Sequence, residues 1–249
     1  MTAQLKPIVL IPARLKSARL PSKPLANIAG KPMILWVLES ALKAAIGPVF
    51  VACAEKKIAD IVVSAGGQAI LTDPDHRSGS DRIFEALSLV DPENAYNVVI
   101  NLQGDLPTIE PISIRDVLKP LKNYTVDIAT LVTEIGCAED RTNPNIVKAV
   151  LGFKNNERIA RALYFTRGTA PAGHGPLYHH IGIYAYRRCA LEHFIKLPVS
   201  TLEEREKLEQ LRALEAGMRI DAHLVDTLPI GVDTSAELEQ ARSILGKKL

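Results

Sequence analysis

The chain has 249 residues, of which 47% are hydrophobic and 23% charged, with 30 Lys and Arg against 28 Asp and Glu. These proportions are average for a soluble globular protein with one substantial domain, and they exclude wholesale disorder. A formal net charge of only +2 argues against a general nucleic-acid binder, because such proteins usually carry a basic excess over the whole domain.

The three cysteines, Cys53, Cys137 and Cys189, are far apart and form neither a CxxC pair nor a disulfide framework. This pattern favours a reducing compartment, the cytoplasm. The N-terminus lacks a signal-peptide layout, and no apolar stretch approaches the roughly 18 residues that a membrane-spanning helix needs. We therefore expect a cytoplasmic protein with no membrane or nucleic-acid partner.

Short apolar runs alternate with amphipathic stretches in the first half. Strands are predicted at IVLIPA, PVFVAC, QAILT and NVVINLQGD, and helices at MILWVLESALKAAIG, EKKIADIVVSAGG and DRIFEALSLV. Gly47 is expected to end the first helix, and Ser80 to cap the third with Asp81 in its first turn. The alternation predicts an α/β fold with a mostly parallel sheet and helices on both faces.

The middle of the chain has a different pattern. DIATLVTE, NIVKAVL, ARALYFTR and HHIGIYAYR predict mixed or antiparallel strands that extend the sheet or form an arm. STLEEREKLEQLRALEAG predicts a helical segment ending at its glycine, followed by a strand, IDAHLVD, and a closing helix, SAELEQARSILGKKL. No linker or repeat divides the chain, so we expect a single domain, 1–249.

A cluster of cations follows the first predicted strand. Four fall within ten residues, with no acid among them: Arg14, Lys16, Arg19 and Lys23. Ligands of doubly wound sheets bind where strands end, so an anion is expected here. Arg14 could clamp phosphate oxygens as a fork and Lys23 as a point charge, with Ser17 adding a hydroxyl. A solvated surface loop is the alternative. Neither GxxxxGK[ST] nor GxGxxG is present, which disfavours the usual kinase and dinucleotide folds.

Two aspartates are candidate metal ligands at the same sheet edge. Asp105 follows a strand and a glycine in NLQGDLP, and Asp233 stands in PIGVDTS. Magnesium in phosphate chemistry takes one or two carboxylates, with substrate oxygens and waters. Asp105 could equally be a turn residue, and Asp233 a helix cap.

The predicted strand HHIGIYAYR has a polar, aromatic face. Alternation places His180, Gly182, Tyr184 and Tyr186 on one side of it, which suits a hydroxylated ligand such as a sugar. A purely structural histidine is the alternative. No HxH or HExxH spacing supports a zinc site.

The motifs together resemble one family. IPARLKSARLPSKPL, HRSGSDR, NLQGD, PNIVKAV, HIGIYAYR, LEQLRALEAG and GVDT occur in the order seen in 3-deoxy-manno-octulosonate cytidylyltransferases. The resemblance implies a Rossmann-like nucleotide-diphospho-sugar transferase fold and a cytoplasmic enzyme, usually homodimeric. It implies a reaction of CTP with 3-deoxy-D-manno-octulosonate (Kdo) that gives CMP-Kdo and pyrophosphate for lipopolysaccharide assembly. Residues 1–125 would then mainly bind nucleotide, and 126–230 would mainly bind sugar and form the dimer.

The resemblance also implies roles for single residues. The CTP phosphates would be held by Arg14 and Lys23, with Ser17 nearby, and the cytidine would lie against Ser78 and Gly79. Mg²⁺ would be bound by Asp105 and Asp233. The Kdo pocket would be lined by Gln103, Arg167, His180, Tyr184, Glu209 and Gln210, with Arg167 as partner of the sugar's carboxylate. Arg14, Lys23 and Asp105 are the candidate catalytic residues.

Two positions depart from the family pattern. Leu106 stands where the family often has Glu, so Asp105 and Asp233 must suffice for the metal. His179 stands where Arg or Lys is frequent, which removes a permanent charge.

Three other functions remain open from the sequence. The first is a cytidylyltransferase for another acidic sugar, 8-amino-Kdo or a sialic acid. The second is a non-catalytic nucleotide-binding protein on the same fold, which the pairing of Asp105 with Asp233 disfavours. The third, an RNA-binding protein, is disfavoured because the positive charge is confined and no aromatic stacking platform accompanies it.

Overall fold

The computed structural model describes residues 4–17, 19–154 and 156–247. The cation cluster predicted after the first strand lies in a segment, residues 14–23, that we call the basic loop. Ala18 of this loop and the last two residues of the predicted closing helix lie outside the described residues. The chain divides into two compact units: an outer unit, Leu5–Arg115 with 229–247, and a middle unit, Asp116–Leu228.

The secondary structure alternates as predicted through the outer unit. In chain order, the strands are β1 (Pro7–Ala13), β2 (Asn27–Ile28), β3 (Lys31–Pro32), β4 (Val49–Cys53), β5 (Gln68–Leu71), β6 (Val98–Leu102), β7 (Ile128–Glu134), β8 (Lys148–Leu151), β9 (Ile159–Thr166), β10 (Tyr178–Arg187) and β11 (Ile220–Leu224). The helices are α1 (Met33–Ala44), α2 (Lys56–Ser64), α3 (Gly79–Val90), α4 (Pro111–Asp116), α5 (Ala138–Thr142), α6 (Arg188–Lys196), α7 (Thr201–Glu206), α8 (Gln210–Glu215) and α9 (Ser235–Gly246). In the described ranges, no helix has both the length and the apolar content to cross a bilayer.

The outer unit contains a parallel sheet in the order β5-β4-β1-β6. The central strands are apolar and buried along their length: all five residues of β6 are buried, and Ile8–Ile11 of β1 have no exposed surface. Such continuous burial is typical of parallel sheets. Because β1 and β6 are parallel neighbours, the loops after Ala13 and Leu102 leave the same edge of the sheet. That arrangement places the basic loop beside Asp105.

The expected end of α1 at Gly47 is wrong. The helix ends at Ala44, and Ala45 adopts the left-handed conformation with φ of 52°. A Cβ on Gly47 would lie 2.0 Å from the carbonyl oxygen of Pro7. Glycine is therefore required there by the close approach of the β1 backbone.

The expected N-cap at Ser80 is also wrong, by two residues. Ser78 caps α3: its Oγ accepts the N–H of Asp81, and the Asp81 carboxylate accepts the N–H of Ser78. This reciprocal capping box satisfies two donors at the start of the helix. Ser80 is buried in the first turn instead.

The strands of the middle unit are mixed, as predicted, and follow the order β10-β7-β11-β9-β8. β7 and β11 are parallel, and the other pairs are antiparallel. The start of β10 pairs with β8 as well, joining His179 to Lys148. A register shift between Ile181 and Tyr184 interrupts the pairing of β10 with β7.

The single helical segment expected at 200–217 is two short helices, α7 and α8. Lys207 is left-handed, with φ of 57°, and ends α7. Leu208 and Leu211 are buried on either side of the start of α8. Gly217 ends the segment as predicted, with φ of 77°.

Candidate active site

The basic loop borders a cavity of about 500 Å³ in the outer unit. This volume is within the range of small-molecule sites. The cavity is lined by the predicted residues Arg14, Ser17, Lys23, Ser78, Gly79, Gln103, Asp105 and Asp233. Residues from the loop after β1, the start of α3, the turn after β6 and the segment before α9 therefore meet at one place.

Lys23 binds both candidate metal ligands in this cavity. Its Nζ lies 2.6 Å from Asp105 Oδ2 and 2.8 Å from Asp233 Oδ1. Arg19 Nη2 lies 2.8 Å from the other oxygen of Asp233. The acids that offset the charge of the basic loop thus come from distant parts of the sequence.

The ion pairs shift the pKa values of this cluster. Burial opposes the charged form of Lys23, but Asp105 and Asp233 outweigh it and raise the pKa of the ammonium. Burial likewise favours the neutral form of Asp233, but Lys23 and Arg19 outweigh it and lower the pKa of the carboxyl. Both groups are therefore charged at neutral pH.

The capping alternative for Asp233 is wrong. Thr234 is the N-cap of α9: its Oγ1 accepts the N–H of Glu237, and the Glu237 carboxylate accepts the N–H of Thr234. The backbone of Asp233 also donates to Glu237, at 2.8 Å. The Asp233 side chain is left to the cavity.

The two carboxylates fit a divalent cation in donor type and direction. Both already converge on one positive centre, the Lys23 ammonium, and carboxylate oxygens are what Mg²⁺ prefers. Throughout the part of the chain that the structure describes, no group of three or more His, Cys, Asp or Glu side chains could hold a metal. Leu106 is buried and adds no ligand. A metal held by Asp105 and Asp233 would need further oxygens from substrate or water.

The floor of the cavity depends on two glycines. A Cβ on Gly79 would lie 3.2 Å from Cγ of Pro12, and one on Gly104 would lie 3.0 Å from the Pro12 carbonyl oxygen. Larger residues would push the α3 terminus and the turn after β6 away from β1.

Arg14 is exposed at the rim, where its Nη1 donates to the His76 carbonyl oxygen at 3.4 Å.

Arg82 is a cavity residue that the sequence reasoning missed. Although charged, it is only 2% exposed, and its Nη1 donates to Thr72 Oγ1 at 2.6 Å and to the Asp73 carbonyl oxygen at 2.9 Å. Burial and, next, the charge of Arg14 lower its pKa. Its place in HRSGSDR, one turn after the glycine, was the available signal.

In the middle unit, Arg167 is held by main-chain groups. Its Nε donates to the Glu206 carbonyl oxygen at 2.9 Å, and its Nη1 to the Pro144 carbonyl oxygen at 3.1 Å. Its own N–H donates to the Glu206 carboxylate at 2.9 Å. The side chain is thus fixed at the end of β9.

His180 and Tyr184 lie side by side, as predicted, with ring centroids 5.4 Å apart. Burial lowers the pKa of His180 to about 3, so the ring is neutral at physiological pH. The Thr130 hydroxyl donates to Ile183 O at 2.8 Å, so His180 Nε2, 3.0 Å from Thr130 Oγ1, is the donor of that pair. The tautomer leaves Nδ1 as an acceptor.

Glu209 is the N-cap of α8, and Gln210 is its first residue. Burial raises the pKa of the Tyr184 phenol, and electrostatic interaction with Tyr186 and then with Glu209 raises it further. Gln210 is 6% exposed, and its Nε2 is buried with no hydrogen-bond partner among the described residues. An unsatisfied buried amide costs about 1–3 kcal/mol, so a ligand or water is expected against it.

The outer-unit cavity is typical of proteins that bind a nucleoside triphosphate together with a divalent cation. Cations and carboxylates at the carboxyl edge of a parallel sheet, around a space of this size, suit a nucleoside triphosphate with a divalent cation.

Comparisons with known proteins place the chain within that class. The sequence model of a family described as Cytidylyltransferase matches residues 8–220. The 3-deoxy-manno-octulosonate cytidylyltransferase of Paramagnetospirillum magneticum is 59% identical over 98% of this chain and 99% of its own. The enzyme of the same name from Rhodopseudomonas palustris is 61% identical, over 96% and 98%.

A solved structure is similar as well. It is that of CMP:2-keto-3-deoxy-manno-octonic acid synthetase complexed with CTP, which is 40% identical, with a TM-score of 0.89 over 98% of this chain and 100% of that one. This chain therefore belongs to the cytidylyltransferase family and, within it, to the 3-deoxy-manno-octulosonate cytidylyltransferases. The predicted family, the transferase fold and the enzyme class are confirmed.

Proposed function

We propose that this protein transfers CMP from CTP to Kdo, giving CMP-Kdo and pyrophosphate for lipopolysaccharide biosynthesis. Membership of the family supports the reaction. The observation that carries the proposal is the convergence of Lys23, Asp105 and Asp233, from three separate segments, on one point in a nucleotide-sized cavity.

In this reaction, a hydroxyl oxygen of Kdo attacks the α-phosphorus of CTP in line. The new O–P bond forms as the bond from that phosphorus to the bridging oxygen breaks. Pyrophosphate leaves with the electron pair, and the hydroxyl proton passes to solvent. Such a transfer depends mainly on positioning and charge neutralisation, so no side-chain base is assigned.

The nucleotide is assigned to the outer-unit cavity. Arg14 and Lys23 hold the triphosphate with Ser17, while Ser78 and Gly79 lie against the cytidine. Lys23 must release its carboxylate partners to reach a phosphate, and the triphosphate offers it an alternative anion. The exposed guanidinium of Arg14 needs no such exchange beyond a long contact with His76.

The cofactor is proposed to be Mg²⁺, held by Asp105 and Asp233. When bound, Mg²⁺ would neutralise triphosphate charge and lower the pKa of the attacking hydroxyl. The convergence of the two carboxylates on a single cation supports this assignment.

Sugar binding is assigned to Gln103 and, in the middle unit, to Arg167, His180, Tyr184, Glu209 and Gln210. The buried, unpartnered amide of Gln210 supports this role. The fixed neutral ring of His180 offers an acceptor for a hydroxyl, and Arg167 has guanidinium protons left for a carboxylate.

The remaining assignments are proposals on the same basis. The protein would be a cytoplasmic homodimer without nucleic-acid or membrane partners. Within one domain, 1–249, residues 1–125 would mainly serve the nucleotide, and 126–230 would mainly serve the sugar and the dimer.

The test is pyrophosphate release by the purified protein with Mg²⁺ and CTP. Release that requires Kdo, and that neither sialic acid nor UTP supports, is expected. Release with sialic acid or 8-amino-Kdo but not with Kdo would contradict the proposed acceptor. No release with any acidic sugar, despite CTP binding, would contradict the proposed enzymatic function.

A further inference from the structure

Glu206, which is outside the predicted site, makes two hydrogen bonds to the predicted sugar-binding residue Arg167. Its Oε2 accepts the backbone N–H of Arg167 at 2.9 Å. Its Oε1 accepts the Thr166 hydroxyl at 2.8 Å. The main-chain oxygen of Glu206 also accepts Nε of Arg167, at 2.9 Å. Side chain and main chain of one residue thus hold both ends of Arg167.

The turn at the end of β9 is built around this carboxylate. Thr166 Oγ1 accepts the N–H of Gly168 at 3.0 Å while its own proton goes to Glu206. The two carboxylate oxygens of Glu206 therefore accept from Thr166 and Arg167, and Gly168 is joined to them through Thr166. Hydrogen bonds to a charged acceptor are roughly twice as strong as neutral ones, so this turn has little freedom.

A second charged side chain holds the opposite side of the same turn. Lys148 is fully buried, and its Nζ donates to the carbonyl oxygens of Arg167, at 3.3 Å, and of Asn143, at 2.6 Å. Two full charges are thus devoted to the backbone around one arginine. The backbone on both sides of the Arg167 side chain is therefore held in place by charged groups.

We propose that Glu206 is a positioning residue, which sets the Arg167 guanidinium for the carboxylate of an acidic sugar. The proposal rests on the proposed function, and it adds a residue that touches no reacting atom. Glu206 acts through Arg167: without its carboxylate, the turn 166–168 relaxes and the guanidinium loses its fixed direction. Bidentate recognition of a carboxylate needs that direction, because the arginine fork is rigid.

The substitutions Glu206→Ala and Glu206→Gln test whether the Glu206 carboxylate positions Arg167 or only stabilises the fold. Alanine removes both acceptors and is expected to raise KM for Kdo about tenfold or more, the loss expected for one or two charge-assisted hydrogen bonds. Glutamine can offer its Oε1 to the Arg167 N–H and its Nε2 to Thr166 Oγ1. It is expected to stay within about threefold of wild type. Glu204→Ala, which removes an exposed charge from the same short helix, is the matched control.

If Glu206 only stabilised the fold, its removal would change the Kd of CTP as well as the KM for Kdo. The Kd of CTP, measured by calorimetry, is expected to be the same in all four proteins, because the CTP site is assigned to the outer unit. Equal increases in KM for Kdo and in Kd for CTP would overturn the proposal. So would an unchanged KM for Kdo in Glu206→Ala.

A double-mutant cycle identifies Arg167 as the intermediary. Arg167→Ala and the double variant Arg167→Ala/Glu206→Ala are expected to share one KM for Kdo, because Glu206 has nothing left to position. Additive effects would overturn the proposal. Failure of the proposed function is distinct, since it appears as wild-type protein that releases no pyrophosphate with Kdo.

Discussion

At the scale of single residues, Lys23 decides the state of the candidate metal site. Its ammonium, with Arg19, brings two positive charges to the two carboxylates, so the cluster as a whole is neutral. A neutral cluster has little attraction for a free divalent cation. A triphosphate supplies the anion to which Lys23 can turn, and we expect metal and nucleotide to bind together.

Replacing Lys23 tests whether its ammonium competes with a metal ion for the two carboxylates, and the test needs no turnover. Lys23→Met is expected to bind Mn²⁺ in the absence of nucleotide about tenfold more tightly than wild type, because two partly buried ion pairs no longer compete. Mn²⁺ titration followed by electron paramagnetic resonance measures the free ion. Lys16→Met removes the same charge from the same loop and is expected to change little. Equal affinities in both variants would exclude Lys23 as the competitor.

His180 makes the stability depend on pH. Its folded pKa of about 3 lies far below the ordinary 6.5, because the ring is buried. Above pH 6.5 the ring is neutral in both states and contributes nothing. As pH falls below 6.5, the unfolded chain takes up a proton that the folded chain does not, so the free energy of unfolding decreases.

Between pH 7 and 5, this one ring should lower the free energy of unfolding by about 2 kcal/mol. Urea unfolding of wild type and His180→Gln at the two pH values measures it, and the variant is expected to lose that part of the pH dependence. His193→Gln, at an exposed position on α6, is the control and should keep it. The same pH dependence in His180→Gln as in wild type would contradict the assignment.

At the scale of elements, residue patterns predicted where strands and helices lie better than where they end. Every strand predicted in the first half is present. A continuous apolar run indicates a buried strand, whichever elements pack against it. Ends depend on single contacts: Gly47 is required by the Pro7 carbonyl, which belongs to another strand. The cap at Ser78 could have been read from the sequence, because Asp81 stands three residues after it, at the N3 position of a capping box.

The break between α7 and α8 shows tertiary structure overriding helix propensity. The stretch 201–215 contains strong helix formers throughout, yet Lys207 is left-handed. The break lies between Glu206, whose carboxylate contacts Thr166 of β9, and the buried side chains of Leu208 and Leu211. Thr166, the partner of Glu206, is remote from the break in sequence, so local propensity could not reveal it.

Glycine at position 207 is expected to stabilise the protein. A non-glycine residue in the left-handed region costs roughly 1 kcal/mol, and glycine does not incur that cost. Lys207→Gly should therefore raise the free energy of unfolding by about 0.5–1 kcal/mol in urea titration at pH 7. His193→Gly, at an exposed position inside α6, should lower it instead. A decrease in Lys207→Gly would show that the left-handed turn carries no such cost.

At the scale of the whole molecule, the sequence predicted the family, the fold and eight of the residues that line the outer-unit cavity, but not Arg82. Motif order carries this information because Asp105 and Asp233 follow elements whose positions the fold determines. The partners of each side chain could not be predicted. Lys23 between two carboxylates, Arg82 beneath the α3 loop and Glu206 behind Arg167 all depend on distances of a few ångströms between remote segments.

The most direct measurement is ³¹P NMR of CTP, Kdo and Mg²⁺ incubated with wild type and with Asp105→Asn. Wild type is expected to give a phosphodiester signal and pyrophosphate in equal amounts. Asp105→Asn, with an unchanged Tm, is expected to be slower by about a hundredfold or more, because one carboxylate of the proposed metal pair is lost. Wild type that forms no phosphodiester, or Asp105→Asn that forms it at the wild-type rate, would contradict the account.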